Sequence, residues 1–245
     1  MAAPAPDPQP VSYTPVLTDL WRLVRAPFAP RAVYEEQQSA PTFWMPWVLV
    51  SVIFAALQIL QRPFQMRVRD LVLQKLNQPI PPGGFSAVRS VIGFLGAGVT
   101  VLVLACIGAG ILYLLTMVFG GQTSFKKMLT VCIFAWPIAI LQQVLAYVVL
   151  SIRGVDSIQS VWDVQVSFGA DLLVPSDATL SAFLRLVLAG IGPLAIWQLV
   201  ITAVGLKTLG KVSWATAWTV AIIAAVILLL GLSALGAVGM KAAGG

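Results

Sequence analysis

The chain has 245 residues, 59% hydrophobic and only 10% charged, with a net charge of +6 and no histidine. A soluble domain carries about 25% charged residues, so a water-soluble globule is excluded. Lack of histidine removes the commonest proton shuttle and metal ligand at neutral pH, and basic residues scattered in ones and twos make no nucleic-acid stripe.

Residues 1–15 are rich in proline and alanine and read as a disordered lead; with no basic start and no apolar core, they are not a cleavable signal peptide. From Leu17 to Arg25 the pattern turns helical. Val16, Leu17, Leu20, Trp21, Leu23 and Val24 share one broad side, while Thr18, Asp19, Arg22 and Arg25 share the other. This segment is too short to span, so an interfacial amphipathic helix lying on the membrane is expected. Pro27 and Pro30 break it, and Pro30 suits the first turn of a short charged helix containing Glu35 and Glu36.

The first span is expected over Trp44 to Leu60, with Phe43, Trp44 and Trp47 as interfacial anchors and Arg62 snorkelling at the far end. Residues 61–90 read as a loop: RPFQMRVRDLVLQKL has helical propensity but a poor wheel, and NQPIPPGG ends any helix. The second span is the most apolar. Val91 to Phe119 holds no charge. At 1.5 Å per residue it makes about 43 Å of helix, against about 30 Å of hydrocarbon. Its glycines at 93, 96, 98, 108 and 110 permit close helix contact, so helix 91–119 is a candidate surface for self-association or for a membrane-protein partner.

Gly120-Gly121 and a polar turn to Lys127 lead into a third span, Met128 to Leu150, with a kink expected at Pro137. Residues 151–181 form a second large loop holding Asp156, Asp163, Asp171 and Asp177, with a short helix expected between Ser157 and Ser167 and a break at Pro175. The fourth span, Ala182 to Leu206, contains Pro193. After the turn Lys207 to Ser213 comes a fifth, Trp214 to Leu235, then a flexible tail, 237–245. The expected fold is therefore an all-α, five-span membrane bundle over residues 16–236. Its two hairpins echo each other weakly (GGQTSFKKMLTVCIFAW and LGKVSWATAWTVAI), which shared re-entry chemistry explains more simply than an internal repeat.

Orientation rests on the two short turns, which hold Lys126, Lys127, Lys207 and Lys211 and no acid, whereas the 151–181 loop is net acidic. Turns in the cytoplasm put the N-terminus inside and the C-terminus outside. The 61–90 loop opposes this, because Arg62, Arg67, Arg69, Lys75 and Arg89 then lie outside, eight basic residues against seven inside.

No chemistry-bearing constellation is evident, so no catalytic, cofactor-binding or metal residues are assigned. Cys106 and Cys132 lie inside apolar stretches and read as packing residues. Gln142, Gln143 and Gln198 are the polar groups expected at depth, as interhelical hydrogen-bond formers. The expected spans contain no aspartate, glutamate, lysine or arginine except Arg185, which lies near an end. An ion-coupled transporter usually keeps an ionisable group at depth. Asp156 and Asp163 are the carboxylates a divalent cation would visit, but without histidine they assemble no catalytic trio. The expectation is a non-enzymatic protein with a structural or interaction role, in contact with the lipid bilayer. The alternative is a small transporter or channel subunit for an uncharged or lipid-like substrate.

Four segments resemble the Yip1 domain family of five-span membrane proteins in its bacterial branch. They are LWRLVRAPFAPRAVYEE, FWMPWVLV, VFGGQTSFKKMLTVCIFAWPIAI and IWQLVITAVGLKTLGKVSWATAWTVAI, and the resemblance covers about residues 16–236. It implies a cytoplasmic N-terminus and a bacterial inner membrane. The vesicle-traffic and small-GTPase links of eukaryotic members do not transfer to a bacterial-like chain, which is expected to be without the long soluble N-terminal region of many of those members.

Overall fold

The computed structural model describes residues 15–79, 87–174 and 180–242, so residues 1–14, 80–86, 175–179 (with Pro175 and Asp177) and the last three lie outside the described residues. The described residues form α-helices and short 3-10 turns, with no strand among them. Two short helices come first, α1 (Pro15–Arg25) and α2 (Pro30–Glu36). Then come α3 (Trp44–Lys75), α4 (Ala87–Val118), α5 (Phe125–Arg153), α6 (Ala182–Ala189), α7 (Pro193–Leu209) and α8 (Trp214–Ala242). Four of these helices are long and apolar enough to cross a membrane, and the bent pair α6–α7 makes a fifth if it counts as one span.

α5 is the central post, packing against α3, α4 and α7, while α8 closes the bundle against α4, α6 and α7. Val101, Ala105 and Ala109 of α4 meet Val131, Phe134 and Ile138 of α5 and Leu206 of α7 in one buried core. α4 shows why composition alone cannot say which side is inside. Its buried stripe runs through Val101, Ala105, Ala109 and Leu112, yet Leu95, Val99, Val103 and Ile107 form an equally apolar stripe that is exposed. An outward face of this size needs a non-aqueous solvent, and the bilayer supplies it.

Three expectations need correction. The first concerns residues 61–75, which are not loop: α3 runs unbroken through Pro63 to Lys75. Phe64, Val68 and Leu71, spaced i, i+4 and i+7, pack with Tyr147, Leu150 and Ile158 in a second, smaller core. That stripe was hidden on the wheel by Met66, Val72 and Leu73, and its burial offsets the backbone hydrogen bond that proline removes. The second concerns the fourth span, expected as one helix over Ala182 to Leu206, which is two helices instead. α6 and α7 meet at 62° across Gly190–Gly192, with Pro193 in the first turn of α7. Finally, the tail expected to be flexible is helical as far as Ala242. Its alanine content favours helix strongly enough to carry Gly236 and Gly239.

Loop 154–174 contains three 3-10 turns, Val155–Ser157, Val161–Val164 and Ala170–Leu173. The middle one falls where a short helix was expected. α5 continues through Pro137, with Trp136 edge-on to Phe54 of α3 at 5.8 Å between ring centroids.

Candidate functional site

The most elaborated polar arrangement is where α1 and α2 meet the bundle. Asp19 and Leu23, four residues apart, are both turned inward and 5% exposed. Arg22 beside them donates to Asp19 at 3.1 Å and, through Nε, to Glu36 of α2 at 2.9 Å. Arg25 donates to the other Glu36 oxygen at 3.2 Å. Burial alone would lower the Arg22 pKa, but the hydrogen bonds and charges of Glu36 and Asp19 outweigh it and raise the value. Gln37 is fully buried and accepts the backbone N–H of Thr42 at 2.7 Å, which ties the end of α2 to the start of α3.

Aromatic groups complete the attachment. Tyr34 is fully buried, donates its hydroxyl to the carbonyl of Val131 at 3.3 Å, and meets Phe134 edge-on. Burial pushes the Tyr34 pKa up, so the phenol stays a donor. Gly205 makes the approach of α2 to α7 feasible, since a Cβ there would sit 2.9 Å from the Tyr34 ring. Trp197 of α7 donates its indole N–H to the carbonyl of Pro27 at 2.9 Å, and Phe28 packs edge-on against it.

The opposite side of α1 touches little of the protein. Leu17 is 64% exposed, Trp21 60% and Val24 52%. So the polar face of this helix is turned to the protein and the apolar face outward, the reverse of a surface helix on a soluble domain. The wheel read Leu23 as part of the outer side; it is buried in the core instead. Asp19, Leu23 and Ala26 form the inner row, which residue type alone could not reveal.

A second arrangement surrounds the α6–α7 break. Ala170 donates its N–H to the carbonyl of Ile191 at 2.8 Å, which satisfies a backbone group freed by the break. Gly192 lets the loop come this close, because a Cβ there would strike the Phe168 carbonyl oxygen. Asp171 accepts the Ser167 hydroxyl on one oxygen, and its other oxygen is buried without a partner. Gln142, Phe168 and Gly190 line a space of about 30 Å³ here, room for a water or two and not for a solute.

The glutamines expected at depth have separate fates. Gln143 accepts from Gln61 of α3 through its side chain at 3.1 Å and its backbone carbonyl at 3.2 Å, an interhelical bond as expected. Its partner was missed because residue 61 was read as loop. Gln142 lines the small space at the break. Gln198 is half-buried on α7, and its backbone carbonyl accepts the Thr202 hydroxyl. Cys106 and Cys132 are both half-buried free thiols at the edge of the main core. Arg185 of α6 lies over the Trp162 ring, 4.9 Å from its centroid.

Asp163 caps its own turn, accepting the backbone N–H groups of Gln159 at 2.9 Å and Ser160 at 2.7 Å. Burial works against its charge, but these N–H groups outweigh it and hold the carboxyl below its ordinary value. Among the described residues, no three histidine, cysteine, aspartate or glutamate side chains gather where they could hold a metal ion.

The model of the Yip1 domain family matches residues 24–235, from the end of α1 to within α8. The chain belongs to the Yip1 domain family. A similar protein is the membrane protein YknW of Bacillus subtilis (strain 168), 26% identical over 201 residues, covering 80% of this chain and 81% of the relative. No solved structure matches the chain. The family match takes in α2, the long helices, the α6–α7 break and both short turns, so the elements that dock the N-terminal pair lie within the family's span.

Proposed function

We propose that this Yip1-family protein is a non-enzymatic structural or interaction protein of a bacterial inner membrane. Its N-terminal helix pair is a platform held at the cytoplasmic surface. One observation carries the reading: α1 is clamped by its polar side to Glu36 and the bundle while Leu17, Trp21 and Val24 face outward. A helix oriented this way gains from burying its apolar stripe at the headgroup boundary. Lys126, Lys127, Lys207 and Lys211 in the two short turns support placing that end at an anionic leaflet. Gly110 of α4, where an added Cβ would meet nothing within 4 Å, suits self-association or a partner helix.

The test is a crosslinking pull-down from native membranes, with partners identified by mass. The reading expects one or two stoichiometric protein partners besides the chain itself. Recovery of only the chain itself and lipid counts against it and shifts weight to a transport or lipid-handling role. A transporter or channel subunit is the second reading, favoured by the discontinuous α6–α7 span, a feature that transporters place at their binding sites. Solute flux in proteoliposomes that is lost in Gly192→Leu would favour this second reading.

A further inference from the structure

We propose that the cleft between α3 and α4 binds one phospholipid with an anionic headgroup. The cleft encloses about 480 Å³, within the range of about 300–1,000 Å³ typical of ligand pockets. Its walls are of two kinds. Phe54, Ile59 and Phe94 make an apolar wall, and Gly93 and Ala97 widen it by leaving little side chain on α4. Gln58, Arg62 and Gln65, spaced i, i+4 and i+7, line up along one face of α3 as a polar strip. Gln65 donates to Gln58 at 2.8 Å, which holds the two amides together beside the arginine.

The surroundings select the occupant. Ile59 of the lining is exposed, as are Leu60, Ile92 and Leu95, chain neighbours of lining residues, so the cleft lies among apolar surface of the kind lipid covers. Polar side chains facing hydrocarbon are costly unless they find a polar partner. A phospholipid supplies both halves of the match, an acyl chain for the aromatic wall and ester and phosphate oxygens for the strip. Arg62 is also engaged within the chain, and its five N–H donors let it serve more than one group. Among the described residues the lining contains one cation, Arg62, and no acid, which favours an anionic headgroup over a neutral one.

The test uses the full chain in vesicles of equal parts dioleoylphosphatidylglycerol and dioleoylphosphatidylcholine. The protein is extracted in mild detergent, and retained lipid is counted by native mass spectrometry. The expected result is one phosphatidylglycerol per chain. Gly93→Leu fills the cleft and should lose the lipid, whereas Gly96→Leu, equally free of neighbours but outside the lining, should keep it. Ala97→Phe repeats the block one turn on, should either variant fail to fold. Arg62→Gln should keep a lipid but lower the preference for phosphatidylglycerol by about tenfold, the loss of one charge-assisted hydrogen bond. Equal retention by Gly93→Leu and Gly96→Leu overturns the site, as does an unchanged headgroup preference in Arg62→Gln. A lipid-free dimer that Gly93→Leu abolishes would also overturn it, by showing that the cleft receives a second copy of the chain.

Discussion

Two segments that do not span lie against the bundle, and they are attached in opposite ways. The α1–α2 pair docks through ion pairs, buried Gln37 and aromatic hydrogen bonds, and turns an apolar stripe outward. Loop 154–174 buries Ile158 and packs Val155, Val164 and Val166 on the small core, while Asp163 caps a turn at the surface. From Val155 to Val166 the loop is thus arranged as for water, with apolar groups in and the Asp163 carboxylate out, whereas further on Leu172 and Leu173 are exposed and one Asp171 oxygen is buried. Within the helix pair α1 has the inverse arrangement, which is favourable only if something other than water meets Leu17 and Trp21, while α2 keeps Arg31 and Glu35 outward. The direction in which a short segment hides its polar side identifies its solvent more surely than its composition does.

Perturbing each attachment separately should sharpen this contrast. Phe64→Ala removes the largest buried side chain of the small core and should cost about 3–5 kcal/mol. Thermal unfolding in detergent would read that loss, and limited proteolysis should then cut first within 154–174 and leave α1 protected. Equal loss of protection at both segments would mean that they are not independently held. Tyr34→Phe keeps the ring packing and removes the bond to Val131, and should cost about 1 kcal/mol by the same unfolding measurement.

Smaller effects test the charged groups. Glu36→Gln uncouples α1 from α2 by weakening the bonds to Arg22 and Arg25. These groups are part-exposed, so the cost should stay below about 1 kcal/mol and fall further with added salt. Hydrogen exchange along α1 would detect it. The smallest effect belongs to Asp163. Its folded pKa is lowered, so its stabilisation is fully present above the unfolded value of about 3.9 and is lost as pH falls through the lowered folded value. Exchange protection of Val161–Val164 should therefore be flat from neutral pH down to about pH 4 and decline below it, and Asp163→Asn should remove the decline.

Long apolar runs made the spanning helices readable, because hydrophobic length suffices for a helix in lipid. Pro63 and the scattered apolar residues around it hid the extension of α3, whose helix depends on Leu150 and Ile158 from distant chain positions. The Gly190–Gly192 break was hidden for the same reason: Pro193 signals a disturbance, but only contact with the loop at Phe168 and Ala170 decides between a kink and a break. At the candidate site, the helical period of α1 and its two-sidedness were legible. The turn of Asp19 and Leu23 toward the bundle was not, because it depends on Glu36 and Thr42 being brought beside them.

The most direct test of the outward apolar face is the fluorescence of Trp21 in a variant lacking the other seven of the chain's eight tryptophans. It would be reconstituted with lipids brominated along the acyl chain. Trp21 packed at the headgroup boundary should emit to the blue of a water-exposed indole and be quenched by the bromines, and Trp21→Glu in the native background should release α1 from the membrane surface while the spans stay inserted. Emission from Trp21 that is unchanged by lipid and unquenched by bromine would contradict the account.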